Sequence, residues 1–148
     1  MSIDILLVED NEGDARLVRE SLLESNKTVR LHVVTDGLEA MEFLKYQGRY
    51  LDAPRPDLIL LDLRMPKMDG LEVLARVKAD PWLRTIPIIV LTTSQAEPDI
   101  ASSYNLMASC YLTKPGEWKD FESLVKNLND FWLAKVTFPK QGQTAGRL

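Results

Sequence analysis

Polar side chains that suit phosphoryl chemistry stand at the ends of four short apolar runs in this chain. Glu9 and Asp10 follow the run IDILLV, and Asp62 follows LILL. Thr92 follows IIVL, and Lys114 follows CYLT. A carboxylate at the end of a buried strand costs free energy unless a positive charge compensates it. The positions of these residues therefore raise the question of what neutralises Asp62.

Magnesium-dependent phosphoryl transfer is the chemistry that this set of residues suits. Three converging carboxylates repel one another, so at least one would take up a proton unless a cation were bound between them. His32 is the only histidine and Cys110 the only cysteine, and ligands that are all oxygen suit a hard ion such as Mg²⁺. Asp62 is the candidate nucleophile, because a carboxylate can attack a phosphoryl group and hold it as an acyl phosphate. Lys114 would supply a fixed positive charge, and Thr92 a hydroxyl donor to a phosphoryl oxygen.

The elements that must position these residues alternate between apolar strands and amphipathic helices. The patterns predict strands at 3–10, 29–37, 57–61, 86–94 and 108–114, and helices at 12–25, 38–46, 71–80, 98–107 and 117–135. Such alternation predicts βαβ units and a parallel sheet covered by helices on both faces. Ligands of these sheets bind beyond the carboxyl ends of the strands, so we expect the four polar segments to meet there.

Composition restricts the class of protein. A chain of 148 residues with 45% hydrophobic and 27% charged residues fits one globular domain with a real core. The net charge of −4 argues against nucleic acid as a partner. The sequence has no apolar run of membrane-spanning length and no leader pattern at Met1, so no membrane association is expected. A single cysteine is typical of a reducing compartment, and the cytoplasm is the expected location.

The four segments resemble the receiver domain of two-component response regulators, the CheY-like fold, over about residues 3–132. LLVEDN is similar to the acidic pair of that family, LLDLRMPKMDG to its phosphoacceptor motif, VLTTS to its hydroxyl-bearing strand, and YLTKP to its Lys-Pro signature. The resemblance implies a doubly wound, flavodoxin-like (βα)5 α/β fold whose five-stranded parallel sheet has the order 2-1-3-4-5. We expect a receiver domain at 1–133 and a C-terminal extension at 134–148.

The same resemblance implies roles for individual residues. Asp62 would receive phosphate from the phosphohistidine of a sensor histidine kinase, and Thr92 and Lys114 would hold the phosphoryl group. The implied Mg²⁺ ligands are Asp10, Asp62 and the backbone carbonyl of Arg64, with Glu9 acting mostly through water. Arg64 also occupies, together with Ser94, a position that tunes dephosphorylation in the family, so the phosphoryl lifetime is left open. Thr93 stands where relatives carry mostly Ala or Gly, and its bulk would narrow access to the phosphoryl group.

A conformational switch is also implied by the resemblance. Tyr111 is similar to the aromatic residue that turns inward on activation as the Thr92 hydroxyl moves. The Lys114–Pro115 peptide bond is expected to be cis, as in relatives. Phosphorylation would bias the surface from the fourth helix through the fifth strand and helix toward a form that binds a partner.

The C-terminal segment carries a further set of predictions. The sequence AKVTFPKQGQTAGRL after the match is too short for a folded output domain, so output is expected through protein contact or onward phosphotransfer. Two segments resemble the stand-alone regulators associated with bacterial phytochromes: the sequence FWL at 131–133 and the long loop after the second helix, which contains PRP at 54–56. The resemblance implies that two copies pair through the C-terminal segment as a homodimer. The predicted interface residues are Phe131, Trp132, Leu133, Val136 and Phe138. The alternative is that this segment folds back onto its own core. Residues 141–148 are expected to be disordered.

Helical spacing in the last predicted helix places one apolar set on a single face: Phe121, Leu124, Val125, Leu128 and Phe131.

Other functions are left open by the residues alone. A phosphohydrolase with an aspartyl-phosphate intermediate generally needs a second acid near its nucleophile, and Arg64 stands at that place. A flavin- or dinucleotide-binding module would need a glycine-rich phosphate loop, whereas EDNEGD follows the first strand. A degenerate receiver that acts only as a scaffold would not need the intact set of polar residues. We expect no enzyme activity beyond the protein's own phosphorylation and dephosphorylation.

Overall fold

Five short strands form one parallel sheet at the centre of the molecule, in a computed structural model that describes residues 2–24 and 28–139. The strands are β1 (Ser2–Val8), β2 (Thr28–Val34), β3 (Leu58–Leu61), β4 (Ile88–Thr92) and β5 (Cys110–Thr113). Their order is β2-β1-β3-β4-β5, and every neighbouring pair is parallel. The expected CheY-like sheet is confirmed.

A helix follows each strand. The helices are α1 (Glu12–Leu23), α2 (Gly37–Leu44), α3 (Gly70–Ala79), α4 (Glu97–Asn105) and α5 (Trp118–Leu128), and a 3₁₀ turn covers Gly48–Tyr50. The side chains of Asn11, Asp36 and Asp69 accept backbone amides three residues on, at 2.9, 2.7 and 3.1 Å, which caps α1, α2 and α3. These caps begin α1 and α2 within four residues of the carboxyl end of the preceding strand, whereas α3 begins after the longer loop from Asp62 to Asp69.

Two apolar layers fill the space on either side of the sheet. Leu6 and Val8 of β1 face the layer shared with α2 and α3, whereas Ile5 and Leu7 face the layer shared with α1 and α5. All residues of β3 and β4 are buried, which is why these strands are continuous apolar runs rather than alternating ones. The central strands therefore hold their carboxyl ends in rigid surroundings.

The end of α5 differs from the sequence prediction. A π-helical turn at Asn129–Leu133 follows Leu128, and its wider i to i+5 spacing places Leu133 on the same side as Leu128. Leu128 is 4% and Leu133 5% exposed, whereas Phe131 is 58% exposed. Phe131, which was predicted to share one face with Leu128, is thus exposed where Leu128 is buried, because the prediction assumed regular α-helical spacing.

Among residues 2–24 and 28–139, none of the helices combines the length and the apolarity that a transmembrane span requires. The segment 141–148, for which disorder was predicted, lies outside the described residues.

Candidate functional site

The polar segments meet at the carboxyl edge of the sheet, as the sequence predicted. Glu9, Asp10 and Asp62 bring carboxylate oxygens within 4.8 Å of one another. Glu9 is 2% exposed and Asp62 7%, while Asp10 is exposed to solvent. Since β1 and β3 are neighbours in register, the residues after Val8 and Leu61 necessarily leave the sheet side by side.

Lys114 supplies the positive charge that compensates Asp62. Its Nζ lies 2.5 Å from Glu9 Oε1, 2.8 Å from Asp14 Oδ2 and 3.4 Å from Asp62 Oδ2. Burial lowers the pKa of Lys114, but the hydrogen bonds to Asp14 and Glu9 outweigh it and raise the pKa above its ordinary value. The ammonium group therefore stays charged at neutral pH.

One ammonium group does not neutralise the whole cluster. Burial raises the pKa of Glu9 to about 7, although the hydrogen bond from Lys114 opposes this rise. The nearby Asp62 carboxylate adds to the rise. Clustered carboxylate oxygens of this kind are the donor set that a hard divalent cation prefers, so the residues present fit such an ion. Ligation by the Arg64 carbonyl stays a prediction.

Asp14 is a member of the site that the sequence analysis did not single out. It lies in the first turn of α1, where its backbone amide donates to Asn11 Oδ1 and its carboxylate accepts from Lys114. The sequence feature that could have indicated it is an acid four residues after Asp10, in the first turn of the helix that follows β1. Only the fold shows that this acid faces a lysine 100 residues away.

Thr92 and Tyr111 are connected through the loop after β4. Thr92 is fully buried, and its Oγ1 accepts a long hydrogen bond of 3.4 Å from the amide of Ser94. The Tyr111 hydroxyl donates to the Ser94 carbonyl at 2.9 Å, and the Tyr111 amide donates to the Tyr104 hydroxyl at 3.1 Å. The two predicted switch residues thus contact the same short loop.

Arg64 connects the loop after β3 to the start of α4. Its guanidinium forms an ion pair with Asp99, which also accepts a 2.6 Å hydrogen bond from the Ser94 hydroxyl. These two contacts hold the pKa of Asp99 below its ordinary value, the Ser94 hydrogen bond contributing most. The residue two positions after Asp62, where a phosphohydrolase would require an acid, is thus an arginine paired with Asp99.

The loop after β3 packs closely under Asp62. Gly70 is buried at the first position of α3, and its amide donates to the Leu63 carbonyl at 2.8 Å. A Cβ atom at this position would lie 2.2 Å from the Asp62 carbonyl oxygen. The Asp-Gly pair seen in the sequence thus caps α3 and permits the close approach.

The Lys114–Pro115 peptide bond is trans, since no cis bond occurs among the described residues. The expectation of a cis bond is wrong. The trans form of an X-Pro bond is intrinsically favoured by about 0.5–1 kcal/mol.

The predicted interface residues divide into two groups. Leu133 is buried within its own chain, and Trp132 and Phe138 pack partly against the same apolar layer. Val136 is half-buried, and Phe131 is exposed. For Leu133, Trp132 and Phe138, the structure therefore agrees with the alternative that the segment folds back on its own core.

Comparisons with known proteins agree with this geometry. A family model described as the response regulator receiver domain matches residues 5–126. The response regulator Rcp1 of Synechocystis sp. is 52% identical over 135 residues, covering 91% of this chain and 92% of that protein.

Two solved structures are similar over nearly their whole length. The Mn²⁺-bound form of response regulator Rcp1 is 51% identical, with a TM-score of 0.91 over 93% of this chain and 99% of that one. The phosphorylated cyanobacterial phytochrome response regulator RcpA is 47% identical, with a TM-score of 0.92 over 95% of this chain and 100% of that one.

Proposed function

Since this chain belongs to the response regulator receiver domain family, in which an aspartate is phosphorylated, we propose that Asp62 accepts a phosphoryl group from the phosphohistidine of a sensor histidine kinase. The observation that carries this assignment is the position of the buried Asp62 carboxylate. It lies within 4.8 Å of the oxygens of Glu9 and Asp10 and 3.4 Å from the Lys114 ammonium. Phosphoryl transfer depends mainly on such positioning and on neutralisation of charge.

In the proposed reaction an Asp62 oxygen attacks phosphorus, and the phosphorus–nitrogen bond of the donor breaks. The imidazole leaves as a neutral ring, with the bonding electron pair on the nitrogen that held phosphorus and a proton on its other nitrogen, and an acyl phosphate forms on Asp62. Lys114 and the Thr92 hydroxyl each donate a hydrogen bond to a phosphoryl oxygen. The proposed Mg²⁺ ligands are Asp10, Asp62 and the Arg64 carbonyl, with Glu9 acting mostly through water. The bound ion would neutralise negative charge on the phosphoryl oxygens.

Labelling with acetyl phosphate and Mg²⁺ tests this assignment. We expect one label per chain that is stable in acid and labile in base, as an acyl phosphate is. The label should disappear in Asp62→Asn and persist in the control Asp52→Asn, which makes the same chemical change at an exposed loop residue. Absence of a label on the unaltered chain, or a label that survives Asp62→Asn, would refute the proposal.

Phosphorylation is proposed to act as a switch, with no catalysis beyond the protein's own phosphorylation and dephosphorylation. Movement of the Thr92 hydroxyl toward the phosphoryl group would release the Ser94 amide, and Tyr111 contacts the carbonyl of that same residue. The altered surface of α4, β5 and α5 would then bind an effector protein. Alternatively, Asp62 would pass its phosphoryl group on to a downstream protein. Hydrogen exchange in α4 should change on phosphorylation, and Thr92→Ala should abolish that change while the label remains.

The proposed phosphodonor is a kinase of the phytochrome class, acting in the cytoplasm. The 47% identity to a phytochrome response regulator over nearly the whole chain supports this choice. Timed phosphotransfer from a panel of kinases should be fastest from a phytochrome kinase. An equal or faster rate from unrelated kinases would contradict the assignment.

Pairing of two copies is proposed to involve Phe131, the predicted interface residue that is most open to solvent. Sedimentation should show a dimer that Phe131→Ser weakens, whereas the control Leu51→Ser, at another exposed apolar residue, should leave it unchanged. A monomer at all concentrations, phosphorylated or not, would contradict this proposal.

A further inference from the structure

Three carboxylates surround the ammonium group of Lys114, which has three N–H donors. The two short contacts, of 2.5 and 2.8 Å, are to Glu9 and Asp14, and the long contact of 3.4 Å is to Asp62. Two donors are therefore engaged by fixed anchors. The third donor is left facing the oxygen of the proposed phosphoacceptor.

The position of Asp14 is itself fixed by local structure. Its amide is held at 2.9 Å by Asn11 Oδ1, the cap of α1. The Asn11 amide in turn donates to Glu9 Oε2 at 3.2 Å. The two anchors of Lys114 thus belong to one braced turn between β1 and α1. The Asp14 side chain is 28% exposed and that of Lys114 3%, so Asp14 lies at the rim of the site, with the ammonium beneath it.

We infer that Asp14 is a positioning residue for phosphoryl transfer to Asp62, because it holds the Lys114 ammonium with one donor directed at the reacting oxygen. This inference rests on the proposed function. When phosphorus is bonded to Asp62, the third donor passes from the carboxylate to a phosphoryl oxygen, while the contacts to Asp14 and Glu9 stay in place. Without Asp14 the ammonium has a single short anchor, and its orientation toward Asp62 is lost.

The experiment compares Asp14→Asn with Glu12→Gln in the full chain. Both variants remove one negative charge from the first turn of α1, but Glu12 is exposed. The rate of phosphorylation by acetyl phosphate is measured over a range of Mg²⁺ concentrations. This separates the maximal rate from the Mg²⁺ concentration that gives half of it. Loss of one negative charge by itself should change only the Mg²⁺ concentration that gives half of the maximal rate.

We expect Asp14→Asn to lower the maximal rate on the order of tenfold, the loss typical of one charge-assisted hydrogen bond. Glu12→Gln should leave the maximal rate within about twofold, the range of surface changes. Asp14→Glu keeps the carboxylate and should recover most of the rate. Asp14→Ser removes the carboxylate from the same position and should repeat the loss, which keeps the test decisive if the Asn variant does not fold.

Equal maximal rates in the unaltered chain, Asp14→Asn and Asp14→Ser would overturn the inference. The same conclusion follows if Asp14→Asn and Glu12→Gln differ from the unaltered chain only in their Mg²⁺ requirement. Failure of the unaltered chain to take a label at Asp62 would instead refute the proposed function, so the two failures are distinguishable.

Discussion

Replacement of Gly70 by alanine should disturb the proposed phosphoacceptor through the backbone alone. The added Cβ would lie 2.2 Å from the Asp62 carbonyl oxygen and 2.7 Å from Leu63 Cα. Comfortable contacts between such atoms lie near 3.5 Å, so either α3 or the end of β3 must move by about 1 Å. Overpacking of this kind costs about 1–3 kcal/mol of unfolding free energy. A 1 Å displacement of a reacting group slows its reaction by up to about 100-fold.

Two measurements check the Gly70→Ala prediction. Denaturant unfolding gives the loss of stability, and labelling by acetyl phosphate at saturating Mg²⁺ gives the loss of rate. The matched control is Gly116→Ala, because a Cβ at Gly116 would have no neighbour within 4 Å among the residues that the structure describes. The control should lie within about 0.5 kcal/mol of the unaltered chain. Unaltered stability and labelling rate in Gly70→Ala would refute the reasoning.

Three further predictions concern contacts around the sheet. Asp99→Asn should free the Arg64 guanidinium to pair with the phosphoryl group and lengthen the half-life of the label severalfold, measured as its decay after removal of the donor. Ser103→Ala should raise the unfolding free energy by about 1 kcal/mol in denaturant titrations, because the fully buried Ser103 hydroxyl has no hydrogen-bond partner among the described residues and alanine favours helix. Burial raises the pKa of Asp4, but hydrogen bonds led by that of Arg30 lower it below its ordinary value overall; Asp4→Asn should therefore cost about 2 kcal/mol at pH 7. Since a carboxylate with a depressed pKa stabilises the fold only while ionised, this cost should disappear in unfolding curves as the pH falls below about 4.

Each of these three predictions has a contrary outcome. An unchanged or shorter half-life in Asp99→Asn would show that the ion pair does not restrain Arg64. A loss of stability in Ser103→Ala would mean that its hydroxyl has a partner, such as a buried water. A cost of Asp4→Asn that stays constant from pH 7 to acid would exclude the ionised carboxylate as its source.

Much of the site could be predicted because parallel strands share a direction. Residues that directly follow β1, β3 and β5 must emerge at one edge, so Glu9, Asp62 and Lys114 were found from short apolar runs in the sequence. Asp14 was not found, because its contact with Lys114 depends on the angle at which α1 leaves β1. No local pattern encodes an angle between elements. The contact of Arg64 with Asp99 was missed for the same reason.

The C-terminal segment shows a second kind of feature that the sequence did not predict. Apolar residues from Phe121 to Phe131 predicted a helix with one apolar face, and α5 packs that face against the core as far as Leu128. Beyond that point the chain adopts a π-helical turn, which buries Leu133 and exposes Phe131. The energy difference between an α-helical and a π-helical turn is decided by which side chain fits the core, and that fit is a property of the packed molecule.

The sequence by itself determined the class of sheet, the order in which strands and helices follow, and which polar residues leave the sheet at its carboxyl edge. These features depend on periodicity and on chain direction, which are local. Only the tertiary structure decided which carboxylates share the ammonium of Lys114, which aromatic residue of the C-terminal segment stays in solvent, and how closely α3 approaches Asp62. Those features depend on distances between segments far apart in the chain, which are set by the packing of the whole core.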